Sequence, residues 1–200
     1  MRVFVAGGTG VLGRRLVPQL VARGHQVTAT TTSPAKLGQL EQLGAEAVVM
    51  DGLDAILKAG GAVLRYGALY GPGATDDQVE LVRKRRFPLV GRATGYASWV
   101  HLDDAASATV LAVEQKATGV FNIVDDEPAP ASEWLPYLAA CAGAKRPRRV
   151  PVWLARLLAG EVAVIMMTEG RGFSNAKAKA ELGWRLRYPS WRQGFRQELA

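Results

Sequence analysis

Apolar and polar positions along the first fifty residues switch between two periods. Arg2–Ala6 is a short apolar run that predicts a buried parallel strand. Val11, Leu12, Leu16, Leu20 and Val21 then recur at helical spacing as far as Gly24, which predicts a helix. Gln26–Thr31, rich in Val and Thr, predicts a second strand. Ser33-Pro34 predicts the start of a second helix, with Ser33 as N-cap and Pro34 at the first helical position; that helix ends near Leu43-Gly44. Glu46–Met50 predicts a third strand. The order is β-α-β-α-β.

The glycines between the first strand and the first helix carry the chemistry. Gly7-Gly8-Thr9-Gly10-Val11-Leu12-Gly13 leaves the strand and enters the helix directly. Gly7 permits a tight turn, Gly10 lets the backbone approach a pyrophosphate with no Cβ in the way, and Gly13 permits close packing of the helix. The helix N-terminus offers free N–H groups and a positive dipole end to phosphates. The expected fold class is therefore α/β: a Rossmann-like doubly wound parallel sheet, shortened, with a small, mostly helical C-terminal lobe. Residues 1–124 would form the nucleotide-binding domain, with 67–100 contributing to the substrate lobe, and 125–200 the lobe itself. Later helices are predicted over 76–86, over 103–114 with Asp103 as N-cap, and over 132–142 with Ser132 as N-cap. Others follow from Val150-Pro151 through Leu158, over 175–182 and over 190–199.

Composition and charge narrow the class. The chain has 200 residues, 48% of them hydrophobic and 22% charged, which is ordinary globular composition. Its net charge is 25 − 18 = +7, concentrated in Arg83–Arg86 and Lys145–Arg149. Such runs read as a solvated basic face or as a contact for an anionic ligand. No helix-turn-helix, zinc-finger or aromatic RNA-reading signature accompanies them, so nucleic acid is not the expected partner. The most apolar region, Val152–Met167, is broken by Arg156 and Glu161, and no membrane partner is expected. The N-terminus lacks the apolar region of a signal peptide, so localisation defaults to the cytoplasm. One cysteine, Cys141, excludes an internal disulfide and a cysteine-based zinc site. No metal site is expected. Asp125-Asp126-Glu127 reads as a turn before Pro128, Cys141 as core, and the five tryptophans as packing residues.

The glycine turn resembles the cofactor motif of extended or atypical short-chain dehydrogenases/reductases, the NAD(P)-dependent epimerase/dehydratase family. Leu64–Gly73, with Tyr66, Tyr70 and Pro72, is similar to the strand and loop that line the substrate cleft there. Trp99-Val100-His101-Leu102-Asp103-Asp104-Ala105 and Val120–Pro128 resemble two later segments of the family, in the expected order. The resemblance implies an oxidoreductase or epimerase that moves a hydride between nicotinamide and a sugar-like or small carbonyl or alcohol substrate, sometimes phosphorylated. It implies cofactor contacts at Gly7, Gly8, Thr9, Gly10, Val11, Leu12 and Gly13, at Thr31 and Thr32 at the end of the second strand, and at Asp51 after the third. Substrate contacts are implied at Arg65, Tyr70 and His101, and Arg65 equally suits pairing with Asp103 or Asp104. The cofactor is NADP or NAD. The strand tip carries neither the acid that favours a free ribose 2′-OH nor the arginine that favours a 2′-phosphate, and the hydroxyls beside Lys36 incline the reading to NADP.

After Asp51 the family pattern breaks. The resemblance implies a fourth strand, a helix, a fifth strand with a catalytic Ser or Thr, and then Tyr-x-x-x-Lys, whose spacing puts acid–base and partner on one helical face. Here 51–60 leads directly into Gly61–Arg65, which resembles the sixth strand. Tyr66, Tyr70, Tyr96, Tyr137 and Tyr188 are followed four positions later by Tyr70, Ala74, Val100, Cys141 and Arg192, so none has the lysine. The catalytic residues are therefore unassigned, and weak or absent turnover is expected. A non-catalytic dinucleotide-binding or redox-sensing module, or a non-functional fragment, remains open. The short connection suggests that Ala62–Tyr66 pairs beside the first strand, with Val120–Val124 beyond.

Overall fold

A computed structural model describes residues 1–5, 7–31, 33–49 and 60–199. The chain divides into two compact units, Met1–Arg65 with Leu102–Phe121 and Ala176–Arg185, and Tyr66–His101 with Asn122–Asn175 and Leu186–Ala200.

In the first unit, β1 (Arg2–Val5), β2 (Gln26–Thr31) and β3 (Glu46–Val49) form a parallel sheet with β2 in the centre, Val5 opposite Ala29 and Ala29 opposite Ala47. Helix α1 (Gly13–Ala22), a 3-10 turn at Pro34–Lys36 and α2 (Leu37–Gln42) connect these strands. Ser33 makes no side-chain cap, contrary to expectation; its N–H donates to Thr31 Oγ1 (3.2 Å), which closes a local turn instead. Helix α4 (Leu102–Glu114; α3 lies in the second unit) packs on α1, and Val3, Val5, Leu16, Val17, Leu20, Val27, Ala29, Leu40 and Val110 form one core. Strand β1 is buried on alternate residues only, and Phe4 is 40% exposed. The fully buried strand predicted from its apolar run is thus half-covered. The helices that connect β1, β2 and β3 all cross on the same face, because successive parallel strands need crossovers of one hand.

Strand β4 (Ala62–Tyr66) has β9 (Gly119–Ile123) as its hydrogen-bonded neighbour. Gly119 N–H donates to Gly61 O (3.3 Å) and Gly67 N–H to Ile123 O (3.1 Å), so the two run parallel. The expected neighbourhood of these two strands is observed, but among the described residues β1 pairs with β2 and not with β4. Helix α7 (Ala176–Leu182) is tied to the region of α4: Trp184 Nε1 donates to Ser107 Oγ (3.1 Å) and Gln115 Nε2 to Leu182 O (2.8 Å).

The second unit has short strand pairs under helices. β5 (Ala68–Tyr70) runs parallel to β8 (Trp99–His101), β6 (Leu89–Val90) parallel to β11 (Arg149–Val150), and β7 (Tyr96–Ala97) antiparallel to β10 (Ala129–Pro130). Helices α3 (Asp76–Arg83), α5 (Ala131–Cys141), α6 (Val152–Thr168) and α8 (Trp191–Leu199) complete it. Ser132 lies inside α5 and Pro130 is its N-cap, because the proline's fixed extended backbone (φ −69°) places the cap two residues earlier. Helix α6 is interrupted at Gly160, whose φ of 80° and ψ of 170° are non-helical. The core is aromatic: Tyr70, Trp99, Trp134 and Phe195 pack edge to face and Trp191 packs tilted on Phe195, at ring-centroid distances of 5.0–6.3 Å. Cys141 packs partly buried against this core, and burial pushes its thiol pKa up. Four tryptophans are buried as expected; the fifth, Trp153, is exposed.

Candidate nucleotide-binding turn

The site begins where β1 ends. Gly7 has φ +72°, in the left-handed region, and Gly10 N–H donates back to Gly7 O (2.9 Å), closing a tight turn. Two bonds fasten this turn to β2: Gly7 N–H to Thr30 Oγ1 (3.3 Å) and Gly8 N–H to Thr30 O (2.9 Å). A Cβ on Gly8 would lie 2.8 Å from both Ala29 Cβ and Leu40 Cδ2. A Cβ on Gly13 would lie 2.3 Å from Gly8 O, so Gly13 is demanded by the turn's own backbone rather than by the strand. Gly10 has open space apart from Gly7 O, 3.2 Å from its would-be Cβ.

Helix α1 starts without a side-chain cap at Leu12. Its first internal bonds are Arg14 N–H to Gly10 O (3.0 Å) and Leu16 N–H to Leu12 O (2.9 Å). Among the described residues the N–H groups of Val11, Leu12 and Gly13 have no acceptor. Three donors at the positive end of a helix, beside Gly7 and Gly10 with open space where a side chain would stand, are suited to hold a diphosphate. Such a group fits the residues present.

Thr31 is buried, and its hydroxyl oxygen accepts the Ser33 N–H. Thr32 and Asp51 lie outside the described residues. Thr30 was not among the residues singled out from the sequence, yet it fastens the turn twice; in a run of threonines nothing marks which hydroxyl faces back to the glycines. Thr30→Val is expected to keep the fold, lower stability by about 1 kcal/mol and weaken dinucleotide binding severalfold. Thermal unfolding and a dinucleotide titration of the variant check this.

Of the residues implied for substrate, strand register brings two together. Tyr70 stands opposite His101 in the β5–β8 pair, and their rings meet edge to face at 5.2 Å. Both are buried, at 0% and 2% exposure, within the second unit's core. His101 stacks on Tyr188 at 3.9 Å, with Nε2 3.5 Å from Glu198 Oε1. Arg65 belongs to the first unit and is exposed, and no ion pair among the described residues joins it to Asp103 or Asp104.

The Asp125–Glu127 turn holds α8 in place. Asp125 Oδ2 accepts the Trp191 N–H (2.8 Å) and Oδ1 the Glu127 N–H (3.1 Å). Burial pushes the Asp125 pKa up to about 7, against those two bonds, which lower it. Glu127 accepts from Arg192 Nε (2.5 Å), and Trp191 Nε1 donates to Glu127 O (2.8 Å). Among the described residues no group of three or more His, Cys, Asp or Glu is placed to hold a metal ion, and no helix is long and apolar enough to cross a membrane.

Residues 7–61 match an NAD(P)H-binding family. Over 142 residues the chain is 46% identical to a 3-diazoavenalumate denitrifying reductase from a Streptomyces species, covering 69% of this chain and 47% of the relative. The chain thus spans about half the length of that curated relative. Among solved structures, a human epimerase family protein with NADPH superposes with a TM-score of 0.75 at 20% identity, covering 100% of this chain and 99% of that one. The UDP-glucose 4-epimerase of Thermus thermophilus, complexed with NAD, gives 0.66 at 17% identity, covering 100% and 98%.

Proposed function

We propose that this chain, which has the Rossmann-like fold of the NAD-dependent epimerases and dehydratases and carries an NAD(P)H-binding segment, binds a nicotinamide dinucleotide at the turn between β1 and α1 and turns over substrate weakly or not at all. The observation that carries the binding is the glycine turn with three N–H groups at the start of α1 that have no acceptor among the described residues. In this reading Val11, Leu12 and Gly13 donate to the diphosphate, while Gly7, Gly8, Thr9 and Gly10 shape the approach. Thr31 and Thr32 hold the adenosine ribose, and Asp51 accepts from the adenine amino group. The hydroxyls and Lys36 favour NADP over NAD.

A bound nicotinamide would supply the hydride. What the chain lacks is a proton donor with the usual partner, since no tyrosine is followed four positions later by lysine. General acid–base catalysis contributes on the order of 10²–10⁴ in rate, and carbonyl reduction without it is slow by that factor. Arg65, which is exposed, then serves substrate binding at most, while the buried Tyr70 and His101 pack the second unit's core. The substrate is a small molecule of the carbonyl, alcohol or sugar class.

The test is a fluorescence titration of the purified 200-residue chain with NADPH and with NADH, with Gly10→Asp as the control. Saturable binding is expected, tighter for NADPH, and weakened at least tenfold by a carboxylate placed in the diphosphate cradle. A folded wild-type chain that binds neither dinucleotide refutes the reading.

The 46% identity to a reductase named for a diazo compound favours a second reading. A diazo group is reduced at nitrogen and offers no carbonyl oxygen to protonate. The missing Tyr–Lys pair would not by itself silence such a reaction. Dinucleotide oxidation seen with an aryl diazo compound and not with carbonyl compounds would support it.

A further inference from the structure

The two basic runs lie far apart in sequence, and the second unit brings them to one edge. Arg83–Arg86 precedes β6 and Lys145–Arg149 leads into β11, and these strands are parallel neighbours. Leu89 N–H donates to Arg148 O (2.8 Å), so the chain segments that enter the two strands lie side by side. All eight cations of the runs are exposed. One of them is kept against a backbone preference: Arg85 has φ +55°, in the closing turn of α3, where Arg86 N–H reaches Leu81 O (2.8 Å). Glycine is the residue that favours this position.

From Arg149 the chain passes through Val150-Pro151 directly into α6. Among the described residues this helix carries the most exposed large apolar side chains. Trp153, Leu157, Leu158, Val162 and Met166 are 67–77% exposed. The two charges that interrupt it in the sequence cancel each other, because Arg156 donates to both carboxylate oxygens of Glu161 (Nη2 to Oε1, 3.1 Å). An apolar helix led by an exposed tryptophan and adjoining a basic cluster carries both signals that peripheral membrane attachment requires, buried apolar area and attraction to anionic headgroups.

We propose that α6 and the adjoining basic edge form a docking surface for an anionic phospholipid bilayer, on which the helix lies at the interface without crossing it. Charge complementarity selects this occupant. Lys84 is paired with Glu80, and a second copy packed on the same surface would set the other seven cations against seven. A nucleic acid would meet the cations but leave the exposed apolar side chains in water. The expectation from sequence of no membrane partner rested on the charges that break Val152–Met167, and here those charges are paired.

The test is flotation of the full chain with vesicles of phosphatidylcholine alone and of phosphatidylcholine mixed with phosphatidylserine, at low and high salt. Binding is expected at least tenfold stronger on the anionic vesicles and weakened by salt. The double variant Leu157→Glu/Leu158→Glu changes only exposed positions, and it should keep the circular dichroism spectrum and lose flotation. Arg85→Gly should raise Tm by roughly 2–4 °C while weakening vesicle binding up to about fivefold, the effect of one surface charge. A merely structural role for Arg85 would not separate those two readouts. Equal binding to both vesicle types, or no binding to either, overturns the proposal. So does a dimer dissolved by the double variant, which would assign the face to a second copy. Oligonucleotide binding that survives the double variant, with no flotation, would likewise reassign the basic edge.

Discussion

Replacing Gly194 by alanine is expected to unfold the second unit or to lower its stability by about 3 kcal/mol or more. In the middle of a helix the exchange ordinarily stabilises by up to about 1 kcal/mol, because glycine is the poorer helix former. Here the sign reverses. A Cβ on Gly194 would lie 2.2 Å from Tyr70 Cε2 and 2.3 Å from its hydroxyl oxygen. Tyr70 has nowhere to go, since it is fully buried and held edge to face by Trp99, His101 and Phe195. Helix α8 must then move off the core, exposing Trp191 and Phe195. Thermal unfolding followed by tryptophan fluorescence checks this, and an unchanged or higher Tm would show that the helix does not sit on Tyr70 in this way. Gly194→Ser should behave similarly, which separates the clash from helix propensity.

Stability should fall as pH rises through the neutral range, through Asp125. Its carboxyl has a pKa of about 7 in the fold against 3.8 for an ordinary aspartate. A raised folded-state value means that the native chain binds the proton more tightly than the unfolded chain does. The proton is therefore held only by the native state between those two values, and stability is lost as pH rises through that window. The size between pH 5 and pH 8 is on the order of 3 kcal/mol. Asp125→Asn isolates the effect. The amide cannot titrate and can still accept one of the two N–H bonds that Asp125 takes from Trp191 and Glu127. Denaturant unfolding of both proteins at pH 5 and pH 8 is the measurement. The difference in stability, wild type minus variant, should be larger at pH 5, and a larger difference at pH 8 would place the carboxyl among stronger donors than those two.

The first fifty residues were legible because their signals are local. A glycine turn, a helical spacing and a Val/Thr strand each depend on neighbours a few positions away, and the strand order β3-β2-β1 follows from the handedness of short crossovers. The tie from Thr30 to Gly7 spans 23 residues and was not legible. Nor was the burial of Tyr70 and His101, which is set by the register of two strands about thirty residues apart and by a helix from the end of the chain. Sequence reading placed both at a cleft by resemblance; the structure places both in a core.

The same division runs through the whole molecule. By itself the sequence determined the α/β class, the glycine turn between strand and helix, the lack of any Tyr-x-x-x-Lys spacing and the net charge, since these follow from residue identity and short-range spacing. Only the tertiary structure decided that, among the described residues, β1 pairs with β2 and not with β4, that two distant basic runs share one edge, that Trp153 is left exposed while four other tryptophans are buried, and that Asp125 gives up water to cap α8. Those outcomes depend on which backbone groups and apolar faces find partners across long stretches of chain. Closing such loops costs entropy that only the assembled core repays, so no short window of sequence contains the answer.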